Sequence, residues 1–539
     1  MPSIKEQRIE RKLNKSVVRK QKEISGKKLR VMQDTEARER SIEISNIMDE
    51  FSTLPDVHQL YETNYYVQKR WHAILGPTNS GKTWRALQAI KGAKSGVYLA
   101  PLRALALEVG EDLRAQGFRV SIITGEERDI DPLATIVCST IEMLDISQPV
   151  EVAIIDEVQM IGDTDRGWAW TQALLGVPAK TVFLIGSVAS ENIVKRLSTI
   201  TNSALDIQYT ERLTPLRLNP HPITLDTILT GSIYVVFSRK AVIETSEYLR
   251  ASGFSVAQIY GNMPPEVRRA EAHRFHNGKA DILVATDAIA MGLNMPAHTV
   301  VIGDGIKYNG YCVGPVPHPL IRQIAGRAGR YGHHDAGGLV AGSYHQLHKE
   351  IASALLCTDS MLPEKLSLAL NNTLLANLQL DDDTRITSII TGMQDYIIKG
   401  QHRELFSLAL PADYGDKIAV LDRPDVRHNI PLKDRITLLC APVVMRNQSK
   451  LYAKYVTAVK NGTKITAPPA INADSASLLD SLEDGYRDNA LYTWFHYHFP
   501  TEFYAVQDAM RNRSICVSKI ENIILSKALK KHQKHGARI

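Results

Sequence analysis

The 539-residue chain is 44% hydrophobic and 23% charged, a balance that builds cores and excludes disordered, collagen-like and disulfide-stapled classes. Its 64 Lys and Arg against 58 Asp and Glu leave a net charge of +6, too mild to demand a polyanionic partner by itself. The five cysteines (Cys138, Cys312, Cys357, Cys440, Cys516) form no CxxC pair, which argues for a reducing compartment over zinc or disulfide frameworks.

At roughly 150 residues per domain, the length suggests three or four domains. Residues 1–45 are basic and read as a helical arm outside any core. The tail beyond Lys527 is basic too, and both ends read equally as solvated termini or as electrostatic reach toward nucleic acid. The start has no apolar leader core, and Glu6 and Glu10 are unlike an acid-poor transit peptide, so the expected location is cytoplasmic. Apolar runs stay far below the roughly 20 residues that span a bilayer, so no membrane partner is expected.

From Trp71 short β-rich runs (HAILG, GVYLAP, VSIIT, TIVCST, VAIIDE, TVFLIGS) alternate with helical segments, which predicts a parallel sheet covered on both faces. This first α/β domain is assigned to 46–215. Within it, Gly76, Pro77, Thr78, Asn79, Ser80, Gly81, Lys82 and Thr83 match GxxxxGK[ST] between a strand and a helix. Such a loop turns backbone N–H groups toward phosphates; Lys82 would neutralise the β- and γ-phosphates and Thr83 would bind Mg²⁺. Asp156 follows the buried run VAII at the strand edge where α/β sheets bind ligands. It is expected to share the Mg²⁺, with Glu157 orienting or deprotonating water and Gln159 reporting the γ-phosphate state. ATP and Mg²⁺ are therefore the expected cofactors.

A second α/β series, assigned to 216–350, carries ATDAIAMGLN after the strand DILV and then QIAGRAGR. Gln323, Arg327 and Arg330 sit in that helical segment, and two arginines three residues apart share one face, as arginine fingers toward a γ-phosphate would. Beyond 351 Leu-rich helices dominate to 539. Tyr492, Trp494, Phe495, Tyr497 and Phe499 read as core packing. His333, His334 and Asp335 read as a solvated loop, and Asp381, Asp382 and Asp383 as caps of the helix that follows.

GPTNSGKT, DEVQ, ATDAIAMGLN and QIAGRAGR together resemble a superfamily-2 helicase with two tandem RecA-like domains followed by a mainly helical C-terminal domain. More narrowly, GVYLAPLRALALEV, TGEER and IYGNMPPEVRRAEAHRF resemble the mitochondrial degradosome RNA helicases and their bacterial relatives. The resemblance implies ATP-driven 3′-to-5′ unwinding of RNA, or of DNA, from a single strand with a 3′ overhang. The basic ends could dock a nuclease, such as an exoribonuclease, or simply hold substrate, and a monomer is expected. Position by position the resemblance implies backbone contacts from Arg103, Thr124, Gly125, Ser139, Thr140, Ser238, Arg239 and Thr286. Coupling of hydrolysis to movement would fall to Ser187, Asp287 and Gly292. The rival reading is an ATP-dependent clamp or remodelling scaffold that does not unwind processively.

Overall fold

The computed structural model describes residues 37–61, 69–290, 297–308, 312–329, 337–357, 362–376, 378–471 and 479–529. The first sheet comprises β1 (Arg70–Leu75), β2 (Gly96–Ala100), β3 (Val120–Ile123), β4 (Arg128–Asp129), β5 (Ile136–Thr140), β6 (Val150–Ile155), β7 (Ala179–Gly186) and β8 (Ala204–Tyr209). Their order is β4-β3-β5-β2-β6-β7-β1-β8. Every pairing is parallel except the short β3–β4 edge.

The second sheet contains β9 (Leu216–Leu218), β10 (Ser232–Val235), β11 (Val256–Ile259), β12 (Ile282–Ala285) and β13 (Thr299–Ile302). An antiparallel hairpin, β14 (Ile306–Tyr308) and β15 (Val313–Pro315), stands apart before β16 (Gly338–Gly342) rejoins the sheet. The order is β11-β12-β10-β13-β16-β9, and all its pairings are parallel. Parallel strands need cover on both faces, and β2, β10, β11, β12 and β13 are buried at every position. The chain crosses between the sheets through the six residues that separate Tyr209 from Leu216.

The C-terminal region is helical around one small parallel pair, β17 (Leu366–Leu368) with β18 (Phe406–Leu408). Its core is not its own. Leu366, Ile386, Ile436 and Tyr455 share one cluster with Trp71, Trp170 and Leu184 of the first sheet unit. The long helix Leu479–His498 divides its loyalty. Leu482 and Tyr486 pack with Val242, Tyr260 and Val284 of the second unit, while Tyr492 and Phe495 join the first unit's cluster. The helix Val506–Leu529 does the same in reverse, with Ala509 in the first cluster and Ile520 in the second.

Two local readings need correction. The helix 37–52 runs through the proposed arm boundary at residue 45. Its Ile47 and Phe51 are buried, and Glu43 accepts the Arg385 backbone N–H at 2.6 Å, so this stretch belongs to the C-terminal core. The helix Ile386–Lys399 is capped not by Asp381–Asp383 but by Asp422, whose carboxylate accepts the N–H groups of Ile386 and Thr387 at 2.8 and 3.0 Å. Asp382 instead receives the Leu432 N–H at 3.1 Å, at the start of another helix. The four orphan N–H groups of a helix start take whichever carboxylate tertiary packing supplies. The aromatic run behaves as core: Tyr492, Trp494, Phe495 and Phe499 are buried, and Tyr497 lies under the Arg128 guanidinium.

Candidate functional site

The phosphate-loop motif follows β1 and ends where the helix Lys82–Lys91 begins. Gly81 holds a φ of +75° at that junction, a left-handed turn that glycine adopts without strain. Lys82 Nζ donates to Gly76 O at 2.9 Å, to Pro77 O, and to Ser80 Oγ at 3.3 Å. Burial lowers its pKa, an effect that Glu157 and Asp156 oppose. The ammonium therefore sits inside the curl of its own loop, ringed by oxygens.

Asp156 directly follows β6, which lies two strands away from β1. Its Oδ2 accepts from Tyr98 Oη at 2.7 Å and stands 3.4 Å from Thr83 Oγ1. Its Oδ1 accepts the Glu157 N–H at 2.8 Å, and its backbone carbonyl accepts the buried Trp170 indole N–H at 2.9 Å. Burial first, and then the charge of Glu157, push the Asp156 carboxyl up to about 6. A hydroxyl and a carboxylate converging in a buried, electron-rich spot fit a hard divalent cation, whose charge would restore the ionised form.

Glu157 occupies a left-handed conformation, φ 51°, uncommon for a non-glycine residue and typical of functional turns. Gln159 Nε2 donates to its carboxylate, and Gln159 Oε1 accepts the Ser187 N–H at 3.0 Å. Since Ser187 follows β7, which lies between β6 and β1, Gln159 ties the acid pair to the neighbouring strand exit.

Across the gap, the helix His318–Ala325 delivers Gln323 and the turn after it delivers Arg327. All eight loop residues, Asp156, Glu157, Gln159, Ser187, Gln323 and Arg327 line one cavity of about 1020 Å³. Arg327 also donates to Ala290 O at 2.7 Å. The approach is close: a Cβ on Gly326 would overlap Thr78 Oγ1. At the rim of the cavity, Trp84 leaves 67% of its surface exposed. Arg330, Gly292, His333, His334 and Asp335 lie outside the described residues.

The expected backbone-contact residues are not gathered this way. Thr124, Ser139, Thr140 and Thr286 are buried. Thr124 Oγ1 accepts the Glu127 N–H at 3.1 Å and Thr286 Oγ1 the Ala288 N–H at 3.3 Å, both closing turns. Ser139 and Thr140 are the last two residues of β5. Ser238 caps the helix Arg239–Ala251 through the Ala241 N–H at 3.0 Å. Gly125 has open space around it, and Asp287 is paired with Lys307.

Arg103 and Arg239 are engaged by protein carboxylates. Arg103 pairs with Glu126 at 2.6 Å, with Glu127, and with Glu266 of the second unit at 3.1 Å. Tyr486 and Arg513, from the two long C-terminal helices, complete the cluster, Arg513 reaching Glu126 at 3.1 Å. Burial works against the Arg103 charge, but Glu126, Tyr486, Glu127 and Glu266 together raise its pKa. Arg239 pairs with Asp480 and, at 3.4 Å, with Glu483.

Sequence reading passed over Tyr98, Arg212 and Thr214. A signal existed for Tyr98, since a phenol inside an otherwise apolar buried strand must find a partner. Arg212 and Thr214 carry no such mark.

Residues 57–210 match the DEXQ-box helicase domain of Suv3, and residues 221–332 the helicase conserved C-terminal domain. The mitochondrial ATP-dependent RNA helicase SUV3 of Saccharomyces cerevisiae is 34% identical over 475 residues, covering 83% of this chain and 64% of that protein. Arabidopsis thaliana DExH18, a mitochondrial DExH-box ATP-dependent RNA helicase, is 32% identical over 79% of this chain and 56% of its own length. Among solved structures, S. cerevisiae Dbp5 bound to RNA and ADP BeF3 covers 60% of this chain and 92% of its own at 16% identity, with a TM-score of 0.42. The chain thus spans less than two thirds of the SUV3 and DExH18 helicases. Both relatives are named mitochondrial, as are those from mouse and rice, which overturns the cytoplasmic expectation. A Suv3-type DEXQ-box helicase domain and a helicase C-terminal domain thus face one cavity in this chain.

Proposed function

We propose that the chain is an ATP-dependent RNA helicase that hydrolyses ATP in the cavity between its two sheets. One observation carries this reading: Lys82, Asp156 and Glu157 of the first unit line the same cavity as Gln323 and Arg327 of the second. Lys82 binds the triphosphate, Glu157 orients the attacking water, and Arg327, with Arg330, stabilises charge as it spreads onto the γ-phosphate oxygens. Mg²⁺, held by Thr83 and Asp156, would neutralise charge on the phosphate oxygens. A bond to a ligand shared between two walls favours the closed arrangement, and losing the γ-phosphate removes that preference. Gln159 and Ser187 carry the change to the strand exits, with Asp287 and Gly292 as coupling residues in the second unit.

The finer reading is movement 3′ to 5′ as a monomer from a 3′ overhang, with an exoribonuclease as partner. The mitochondrial names of the relatives support action in that compartment. Lys82→Ala should abolish RNA-stimulated ATP turnover and leave the fold intact. Strand displacement on duplexes with 3′ or 5′ overhangs then tests the motor: displacement from the 3′ overhang alone supports it, and turnover without displacement gives the clamp.

A further inference from the structure

The linker between the sheets is more than a tether. Arg212, in the six residues between β8 and β9, splits its guanidinium between both walls of the cleft. Toward the phosphate loop, Nη1 donates to Thr78 O at 3.2 Å and Thr78 Oγ1 at 3.3 Å. Toward the arginine turn, Nη1 donates to Gly326 O at 3.1 Å and Nη2 to Ala328 O. Nε closes back on Thr214 O at 2.9 Å, so the fork is fixed from its stem. Two residues on, the buried Thr214 hydroxyl donates to Gly329 O and accepts from Asn79 Nδ2 at 2.7 Å. The Asn79 amide itself reaches Gly329 O at 3.1 Å.

We propose that Arg212 is a positioning residue for hydrolysis, holding the turn that carries Arg327 at a set distance from the loop that carries Lys82. The inference rests on the reading of this cavity as an ATP-hydrolysing site. Arginine's planar fork presents up to five N–H donors in fixed directions, so it can engage carbonyls on two walls at once, and the carbonyls it selects flank Arg327 on both sides. Each contact is charge-assisted and stronger than a neutral hydrogen bond. An arginine finger acts only if it meets the spreading charge on the phosphate within a fraction of an ångström, and a displacement of about 1 Å costs on the order of 100-fold in rate. A linker free of these bonds would let the turn wander by more than that. On the arginine turn the guanidinium holds backbone carbonyls, so its effect on chemistry passes through the turn.

Arg212→Lys keeps the charge and most of the stem but has a single nitrogen, which reaches one wall and not both. It should melt within a few degrees of the parent, yet lower kcat for RNA-stimulated ATP hydrolysis by about 10- to 100-fold, with KM for ATP changed less than about threefold. Arg212→Ala should behave alike or worse. On an Arg327→Ala background, Arg212→Lys should add little, because both changes remove one interaction. A parent-like kcat in well-folded Arg212→Lys, or a loss that multiplies in full onto Arg327→Ala, overturns the proposal. Lys82→Ala run alongside keeps the two claims apart: its retained turnover sinks the ATP-site reading, whereas a dead Lys82→Ala with a normal Arg212→Lys sinks only the role of Arg212.

Discussion

Tyr98 and Asp156 form a buried pair in which the phenol donates to Asp156 Oδ2 at 2.7 Å, the same oxygen that Thr83 Oγ1 approaches at 3.4 Å. One carboxylate oxygen is thus aimed by a strand two places along the sheet from the loop's own neighbour, and the whole rigid sheet sets where a cation could sit. Tyr98→Phe keeps the shape and removes that bond. Loss of such an outer partner costs about 10- to 100-fold in metal affinity. The expected outcome is a higher Mg²⁺ requirement for ATP turnover with near-parent turnover at saturating Mg²⁺, read from a magnesium titration.

Gln159 bridges Glu157 to the Ser187 backbone. Replacing it with Ala leaves the acid pair and the phosphate loop in place but cuts the tie to the next strand exit. Strand displacement should fall at least about tenfold more than hydrolysis, equivalent to about 1.4 kcal/mol of coupling. Parallel turnover and unwinding assays check this, and equal losses in both would reduce Gln159 to a site residue only.

Arg103 answers three carboxylates at the meeting point of both sheet units and the C-terminal helices. Arg103→Ala should destabilise the protein by roughly 2–4 kcal/mol, since it leaves half-buried carboxylates without their main counter-charge. Adding Glu126→Gln should recover part of that. Thermal melting in the absence of RNA decides; an unchanged midpoint would mean that Arg103 has no structural role.

Glu483 predicts a pH effect with a definite sign. Burial first pushes its carboxyl up to about 7, against the Tyr260 hydrogen bond and the Arg239 charge. Its folded value lies above its unfolded one, so between about pH 4.5 and 7 the folded state holds a proton that the unfolded state has lost, and this contribution to stability declines as pH rises. Glu483→Gln should therefore melt higher than the parent at pH 8, with the gap closing toward pH 4.5. Melting curves across that range are the check.

The parts of this molecule legible in sequence are those written locally. A glycine-rich turn between strand and helix, an acid pair ending an apolar run and strand–helix alternation each declare themselves within about twenty residues. The junctions are not written that way. Tyr98 finds Asp156 58 positions on, and Arg212 finds Gly326 114 positions on. Arg103 and Arg239 have the residue type and place of phosphate contacts, but Tyr486 beside Arg103, and Asp480 and Glu483 beside Arg239, come from the far end of the chain. Asp382 and Asp422 exchange capping roles for the same reason. Sequence periodicity gives each element its inner face; which element it meets depends on the finished packing.

The helix Leu479–His498 has one half seated in each sheet unit's core. At 1.5 Å per residue its 20 residues form a rod about 30 Å long, anchored at its two ends in different units. Such a rod forbids the halves from simply drifting apart. In the proposed ATP cycle the two units would twist or roll around this rod, so shaving Tyr486 and Phe495 should alter strand displacement before it alters ATP turnover.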